Sequence, residues 1–410
     1  MRLPENPILP IHSLGKDTMT QPLHPQTLAI RGAKEQTDYN EHNQALFLTS
    51  SFMFDSAADG ADLFAHRKPG FTYSRTANPT VSAFARRIAL LEGGEAGIAT
   101  GTGMAAIQAA LLTFLSAGDH LVTSRSLFGT TLGFIQNHIT RFGIEVTLMP
   151  QTDPAAWRAA VKPNTKMLFV ETPSNPLNEV ADIAALAEIA HSNGALLTVD
   201  NCFCSPALQQ PLKFGADLSV QSATKAIDGH GRVMGGVVCG RAELMEKVAV
   251  YTNSAGLLLS PFNAWVLLSG CETLPLRVEK QSAQAQAVAE WLEQRSEVAK
   301  VYYSGLPNHP QAALAAKQQS GGGIVVAFKL KGGQSAAWQV IDRVKVFSKT
   351  ANLGDVRSTI THPWTTTHCR LEPQAKLEAG IREGLIRLSI GLEDTADLIA
   401  DLQQALESIR

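Results

Sequence analysis

Leu218-Ser219-Val220-Gln221-Ser222-Ala223-Thr224-Lys225 is the most informative stretch of this 410-residue chain. Its first four residues form a short, mostly apolar run that predicts a strand, and two hydroxyl residues then precede a lysine. A lysine amine at a strand end can condense with the aldehyde of pyridoxal 5'-phosphate (PLP), while neighbouring hydroxyls reach its phosphate. The motif alone is weak evidence, because many surface turns match it.

A carboxylate at the end of another predicted strand strengthens the PLP interpretation. Asp200 follows the apolar run Ala195-Leu196-Leu197-Thr198-Val199 and precedes Lys225 by 25 residues. An aspartate in this place can pair with the pyridinium nitrogen of PLP and keep the ring protonated as an electron sink. The two strand ends together predict a PLP site.

The middle of the chain alternates between helical and strand patterns, which predicts an α/β fold with a mostly parallel central sheet and flanking helices. Ligands of such sheets bind beyond the carboxyl ends of the strands, where Asp200 and Lys225 lie. The predicted helices span residues 81–91, 103–115, 130–140 and 183–191, and the predicted strands span 120–123, 145–148, 166–170, 195–200 and 218–221.

The pattern changes after about residue 255, where a long helical region (278–294) and a buried strand (324–328) predict a smaller C-terminal α+β domain. The first 30 residues contain five prolines, which predicts an N-terminal arm, and Met19 is a plausible alternative start. We therefore divide the chain into an arm (1–75), a large PLP-binding domain (76–270) and a C-terminal domain (271–410).

The amino-acid composition argues against nucleic-acid binding and membrane association. A net charge of −2 without basic clusters gives no electrostatic case for nucleic acid or a membrane surface. No apolar run is long enough to span a bilayer, and the amino end lacks the apolar core of a signal peptide, so we expect a cytoplasmic protein. Five scattered cysteines indicate free thiols. The spacing of Cys202 and Cys204 resembles a metal motif, but a second ligand pair is lacking.

Two further stretches are candidates for phosphate binding. Thr100-Gly101-Thr102-Gly103-Met104 opens an alanine-rich helix, whose first backbone N–H groups can hold an anion. Tyr73 and Arg75 are two residues apart, so on extended backbone both side chains point the same way and suit a phosphate dianion. Asn78 or Thr80 can simply cap the helix that follows.

Other candidates lie later in the chain. Asn175, in the turn Glu171-Thr172-Pro173-Ser174-Asn175-Pro176, can donate a hydrogen bond to the ring oxygen of PLP, although a plain turn explains the prolines equally well. Arg387 lies inside an apolar strand, and a buried arginine is costly without a partner, so we expect it to meet a carboxylate of the protein or of a substrate. His362 and His368 are expected to line a loop or pocket.

With these motifs, the chain resembles the Cys/Met-metabolism family of PLP-dependent enzymes, which have fold type I, from about residue 26 onward. The resemblance rests on Tyr73-Ser74-Arg75, Asn78-Pro79-Thr80, Gly101 to Ala106, Glu171 to Pro176, Asp200-Asn201, Ser222 to Lys225, and Arg387-Leu388-Ser389 with Gly391.

The resemblance implies a role for each matching residue. Lys225 would hold PLP as a Schiff base and move protons, and Asp200 would pair with the ring nitrogen. Arg387 would bind the α-carboxylate of the substrate. The remaining contacts to the cofactor would come from Ser222, Thr224, Gly103 and Met104 at the phosphate, Asn175 at the ring hydroxyl, and Phe128 on the ring face. Tyr73 and Arg75 would reach the phosphate of a neighbouring subunit, which implies a homotetramer built from two dimers.

Within the family, residues 124–131, 228–236 and 352–363 most resemble the branch that transfers sulfide to O-succinylhomoserine. The implied reaction is a γ-replacement in methionine biosynthesis (trans-sulfuration) that gives homocysteine and succinate. Phe128 departs from the lyases of the family, which carry a tyrosine over the ring. Alternatives are the use of O-acetylhomoserine, cystathionine γ-synthesis, methionine γ-elimination, and a PLP-binding scaffold without turnover.

Overall fold

The computed structural model describes residues 23–34 and 37–409, and within these the strands form two separate sheets. The larger sheet contains β1 (Ala96–Thr100), β2 (His120–Ser124), β3 (Glu145–Met149), β4 (Thr165–Glu171), β5 (Leu196–Asp200), β6 (Leu218–Ser222) and β7 (Gly236–Gly240). The smaller sheet contains β8 (Val298–Tyr302), β9 (Val325–Leu330), β10 (Ser348–Lys349), β11 (Thr359–Thr361) and β12 (Leu385–Ser389).

Helices precede, connect and follow these strands. In chain order they are α1 (Pro25–Arg31), α2 (Ala57–Phe64), α3 (Pro79–Glu92), α4 (Gly103–Leu112), α5 (Gly129–Phe134), α6 (Pro154–Ala160), α7 (Ile183–His191), α8 (Ser205–Leu208), α9 (Ala242–Ala255), α10 (Pro261–Glu272), α11 (Leu274–Glu293), α12 (Ala312–Gln318), α13 (Gly333–Arg343), α14 (Pro373–Glu378) and α15 (Thr395–Glu407).

The larger sheet is mostly parallel, as the sequence predicts. Its strand order is β1-β7-β6-β5-β4-β2-β3, and β7 runs antiparallel to both of its neighbours. Helices α4 and α7 pack against β6 and β5, respectively. Because helices cover the sheet, every residue of β2 is buried. Strands buried on both faces have continuous apolar runs in the sequence rather than alternating apolar and polar residues.

The smaller sheet has the order β10-β11-β12-β9-β8, with all neighbours antiparallel except β10 and β11. Its own core includes Phe328 and Ile386, together with apolar residues of α11, α13 and α15. This arrangement confirms a smaller α+β unit at the carboxyl side of the chain. The domain boundaries at residues 75 and 270 stay predictions.

Several predicted bounds need correction. The helix predicted over 103–115 ends at Leu112, and the segment predicted as one helix over 130–140 is α5 followed by a π-helical turn, Ile135–Ile139. The long helix begins at Leu274 rather than near 278. Strands β1 and β7 were missed, because β1 is rich in small residues with weak strand preference and the short apolar run of β7 has a glycine at each end.

No helix in the described part of the chain is long and apolar enough to cross a membrane. Met19 lies outside the described residues. The capping interpretation of Asn78 is confirmed, since its Oδ1 atom accepts a hydrogen bond from the backbone N–H of Thr80, 3.0 Å away, at the start of α3.

Candidate active site

A cavity of about 280 Å³ opens at the carboxyl ends of β4, β5 and β6, where the topology of an open parallel sheet places ligand sites. Residues from both sheets and from the amino ends of α4 and α5 line it. The lining residues that the sequence singled out are Gly103, Met104, Phe128, Asn175, Asp200, Ser222, Thr224, Lys225 and Arg387.

The amino end of α4 forms an anion-binding cradle against Ser222. A Cβ atom on residue 103 would lie 2.6 Å from the Cβ of Ser222, so glycine is required for this close approach. The side chain of Thr102 caps the helix by accepting a hydrogen bond from the backbone N–H of Ala105. The first N–H groups of α4 and the hydroxyls of Ser222 and Thr224 remain beside the cavity, which suits a phosphate.

Lys225 follows β6 and lies partly buried in the cavity wall. Its Nζ atom donates a hydrogen bond to Oδ1 of Asn352, 3.0 Å away. Burial, and then the positive charge of Arg387, lower the pKa of the Lys225 amine below its ordinary value. A lowered pKa raises the fraction of neutral amine, which is the form that attacks a carbonyl.

Asp200 is the last residue of β5 and is 5% exposed. Its Oδ1 atom accepts a hydrogen bond from the backbone N–H of Cys202, 3.1 Å away. Burial raises the pKa of the Asp200 carboxyl, whereas the hydrogen bonds from Cys202 oppose that shift. Asp200 forms no ion pair with any residue that the structure describes, and such a buried carboxylate suits a cationic ring nitrogen as its ligand.

Arg387 projects from β12 and is 2% exposed. Its guanidinium donates to Oδ1 of Asn175 at 3.2 Å and to the carbonyl oxygen of Ala351 at 2.6 Å. Its Nε atom is buried without a hydrogen-bond partner among the described residues. Burial lowers the pKa of Arg387 to about 10, and the nearby charge of Glu171 opposes the shift. Among the described residues, no Asp or Glu forms an ion pair with Arg387. Of the two expected partners, a carboxylate of the protein or of a substrate, this favours the substrate.

Two cavity residues and one residue that contacts Lys225 were missed by the sequence reasoning. Glu171 and Cys202 line the cavity beside Asp200, and Asn352 contacts Lys225. Glu171 ends β4 as Asp200 ends β5, so its position at a strand end was a usable signal. Asn352 is 127 residues from Lys225 in sequence, and no local pattern links the two.

Tyr73 and Arg75 do not join this cavity within the protomer. Both side chains are exposed, and Arg75 donates to the backbone carbonyl of Asn253, 3.1 Å away. His362 is buried between Thr365 and the carbonyl oxygen of Glu383 and does not line the cavity.

A family profile described as Cys/Met metabolism PLP-dependent enzyme matches residues 26–407. The chain belongs to this family. The family assignment agrees with the site, since the cavity offers an anion cradle, a lysine amine, a buried carboxylate and a partly unpaired arginine in one place. These groups fit the phosphate, aldehyde and ring nitrogen of PLP and the carboxylate of an amino acid.

Relatives within the Cys/Met-metabolism family have several activities. The chain is 55% identical to the O-succinylhomoserine sulfhydrylase of Pseudomonas aeruginosa over 93% of this chain and 95% of that one. It is 40% identical to an L-methionine gamma-lyase of Fusobacterium nucleatum over 93% and 98%. The crystal structure of a cystathionine gamma synthase from Xanthomonas oryzae matches with a TM-score of 0.90 and 38% identity, over 94% and 98% of the two chains.

Proposed function

We propose that this PLP-dependent enzyme transfers sulfide to O-succinylhomoserine, giving homocysteine and succinate. The observation that carries the proposal is the meeting of Lys225, Asp200 and Arg387 around one cavity, in a chain with 55% identity to the Pseudomonas sulfhydrylase. The product would supply methionine biosynthesis.

The cavity residues would divide the binding of the cofactor among them. We assign the phosphate to Ser222, Thr224 and the amino end of α4 at Gly103 and Met104. The Lys225 amine would hold the aldehyde carbon, and Asp200 would keep a proton on the ring nitrogen. Bound PLP supplies the electron sink that makes the α-proton of an amino acid removable. Asn175 would lie beside the ring hydroxyl.

Substrate handling would depend on Arg387 and Lys225. Arg387 would hold the α-carboxylate with its planar guanidinium, in place of its present contact to the Ala351 carbonyl. Once the amino group of the substrate has replaced it at the aldehyde carbon, the freed Lys225 amine would remove the proton from Cα and then one from Cβ. Its lowered pKa increases the fraction of neutral amine, which supports this role as a base. Loss of succinate from Cγ would then let sulfide add at that carbon, and return of protons to Cβ and Cα would give homocysteine.

Phe128 favours an acyl leaving group over a thiol. It lines the cavity, at the position where the family resemblance implies a tyrosine in the lyases. Succinate leaves as a carboxylate, whose conjugate acid has a pKa of about 4, whereas a thiol has a pKa of about 8.5 and needs a proton donor to leave. A phenyl ring can stack on the cofactor but donates no proton, so it suits departure of succinate.

The nearest alternatives use the same cavity with other substrates: O-acetylhomoserine with sulfide, acylated homoserine with cysteine, or methionine γ-elimination. Steady-state rates with succinyl- and acetyl-homoserine, each with sulfide or cysteine, separate them. We expect the largest kcat/KM for the succinyl ester with sulfide. Faster methionine γ-elimination than any replacement reaction would contradict the proposal. A pure scaffold would bind PLP and turn over none of these substrates.

A homotetramer of two dimers is part of the same proposal. Tyr73 and Arg75 lie outside the protomer's own cavity, and apolar side chains nearby in sequence are exposed: Met53 is 98%, Tyr39 92% and Leu48 70% exposed. Burial of such side chains normally accompanies association. In the dimer, Arg75 would reach the phosphate in the neighbouring cavity. A cytoplasmic location also stays a prediction.

A further inference from the structure

Glu171 is a buried carboxyl group of the cavity wall for which the reaction above has no use. It ends β4 directly beside Asp200, its register partner on β5, and it is 3% exposed. Its Oε2 atom accepts a hydrogen bond from the backbone N–H of Phe128, 2.6 Å away. A buried carboxyl group is costly, so its placement against one backbone N–H calls for a functional reason.

A second hydrogen-bonded path joins the same strand end to the same turn. The backbone carbonyl of Glu171 accepts from Nε2 of Gln151 at 2.7 Å. Oε1 of Gln151 accepts from the hydroxyl of Ser124 at 2.7 Å, and that hydroxyl in turn accepts from the backbone N–H of Ser126. The turn between β2 and α5 is thus held at residues 126 and 128 from one residue of β4.

The Phe128 end of the turn depends on the side chain of Glu171. Phe128 is the N-cap residue of α5, yet no side chain of its own segment caps that helix. The ring of Phe128 lines the cavity, so a shift of its backbone would shift the ring that faces the cofactor. In active sites, residues that contact a ligand are commonly held in position by hydrogen bonds from residues that do not contact it.

We propose that Glu171 is a positioning residue that fixes the turn carrying Phe128 and thereby sets the placement of the Phe128 ring over the bound cofactor. This proposal rests on the PLP-binding role of the cavity. Its electrostatics fit, because burial and the neighbouring Asp200 raise the pKa of Glu171 well above its ordinary value. Because the two carboxyl groups are adjacent, a negative charge on one opposes ionisation of the other.

The test compares Glu171→Gln with Glu171→Ala in the PLP-loaded enzyme. Glutamine keeps an acceptor oxygen for the Phe128 N–H, so the visible circular dichroism band and cofactor Kd of this variant should stay close to those of the native enzyme. Alanine should change the sign or intensity of that band and raise the Kd about tenfold, as expected for a lost buried hydrogen bond. Glu188→Ala, exposed on α7, is the matched control.

Outcomes that overturn the proposal are distinct from failure of the reaction assignment. A folded Glu171→Ala variant with native circular dichroism and Kd would show that the turn needs no such anchor. Equal damage from glutamine and alanine would show that the hydrogen bond to Phe128 is not what matters. Because neither readout uses a substrate, both results stand even if the preferred substrate proves to be another amino acid.

Discussion

The Nζ atom of Lys225 and the Oδ1 atom of Asn352 lie 3.0 Å apart, in a hydrogen bond that joins the large sheet region to the carboxyl-side domain. The residue before Asn352 accepts a hydrogen bond from Arg387 through its backbone carbonyl. One short segment therefore touches both the lysine that would move protons and the arginine that would bind the substrate carboxylate.

Replacing Asn352 with alanine should slow the chemical step more than it weakens substrate binding. The amide orients the Lys225 amine but does not touch the Arg387 guanidinium in a described contact. We expect kcat to fall about tenfold, as for one hydrogen bond that positions a reacting group, while KM changes less. Steady-state kinetics with O-succinylhomoserine measure both. Asn308→Ala, exposed on the surface, should leave them unchanged; a rise in KM alone would contradict the assignment.

Phe128→Tyr should increase γ-elimination from methionine. The new phenol would supply the proton that a thiolate leaving group needs, and we expect at least about a tenfold gain in methanethiol release. Sulfide transfer to O-succinylhomoserine should change less, because succinate leaves without an acid. Phe134→Tyr is the control, since Phe134 lies on α5 and does not line the cavity. An unchanged ratio of the two rates would argue against the leaving-group explanation.

Mixed subunits should test the expected contribution of Arg75 to a neighbouring cavity. Arg75→Ala and Lys225→Ala should each be nearly inactive alone. If Arg75 acts across the dimer, unfolding and refolding the two together should restore activity, to about a quarter of native with random pairing. Activity that stays at the level of the separate variants, in a sample shown by mass to contain hybrids, would place Arg75 in its own subunit's site.

Glu92 should make stability depend on pH. Its Oε1 atom accepts hydrogen bonds from Gln221 and Asn201, and burial raises its pKa to about 7. The folded chain thus binds this proton more tightly than the unfolded chain does. The stability that this proton provides is complete below about pH 4.5 and is lost as the pH rises through 7.

Glu92→Gln imitates the protonated form and should remove that loss. The variant and the native chain should unfold alike near about pH 4, while at about pH 9 the variant should be more stable by about 3 kcal/mol. Thermal unfolding across this range measures the difference, with the exposed Glu188→Gln as control. A stability gap that does not vary with pH would mean that Glu92 is not titrating.

Much of the large domain could be predicted, since each strand of a covered parallel sheet is an apolar run and each connecting helix has its own period. The helix at Ile183–His191 was predicted with its observed bounds. The missed strands β1 and β7 are each only five residues long and contain glycine, so their local sequence does not distinguish a strand from a loop. They are strands because they pair with each other as neighbours in the sheet, although more than a hundred residues separate them in the sequence.

The sequence alone predicted a PLP site and assigned Asp200 and Lys225 to it, because a local pattern places both residues at the carboxyl ends of predicted strands. Only the tertiary structure decided which side chains meet there. Strand order places Glu171 beside Asp200. Packing of the second sheet brings Arg387 to the same cavity and Asn352 to the Lys225 amine. These contacts join residues far apart in the chain. Burial where they meet is the main cause of the pKa shifts of Glu171, Asp200 and Arg387.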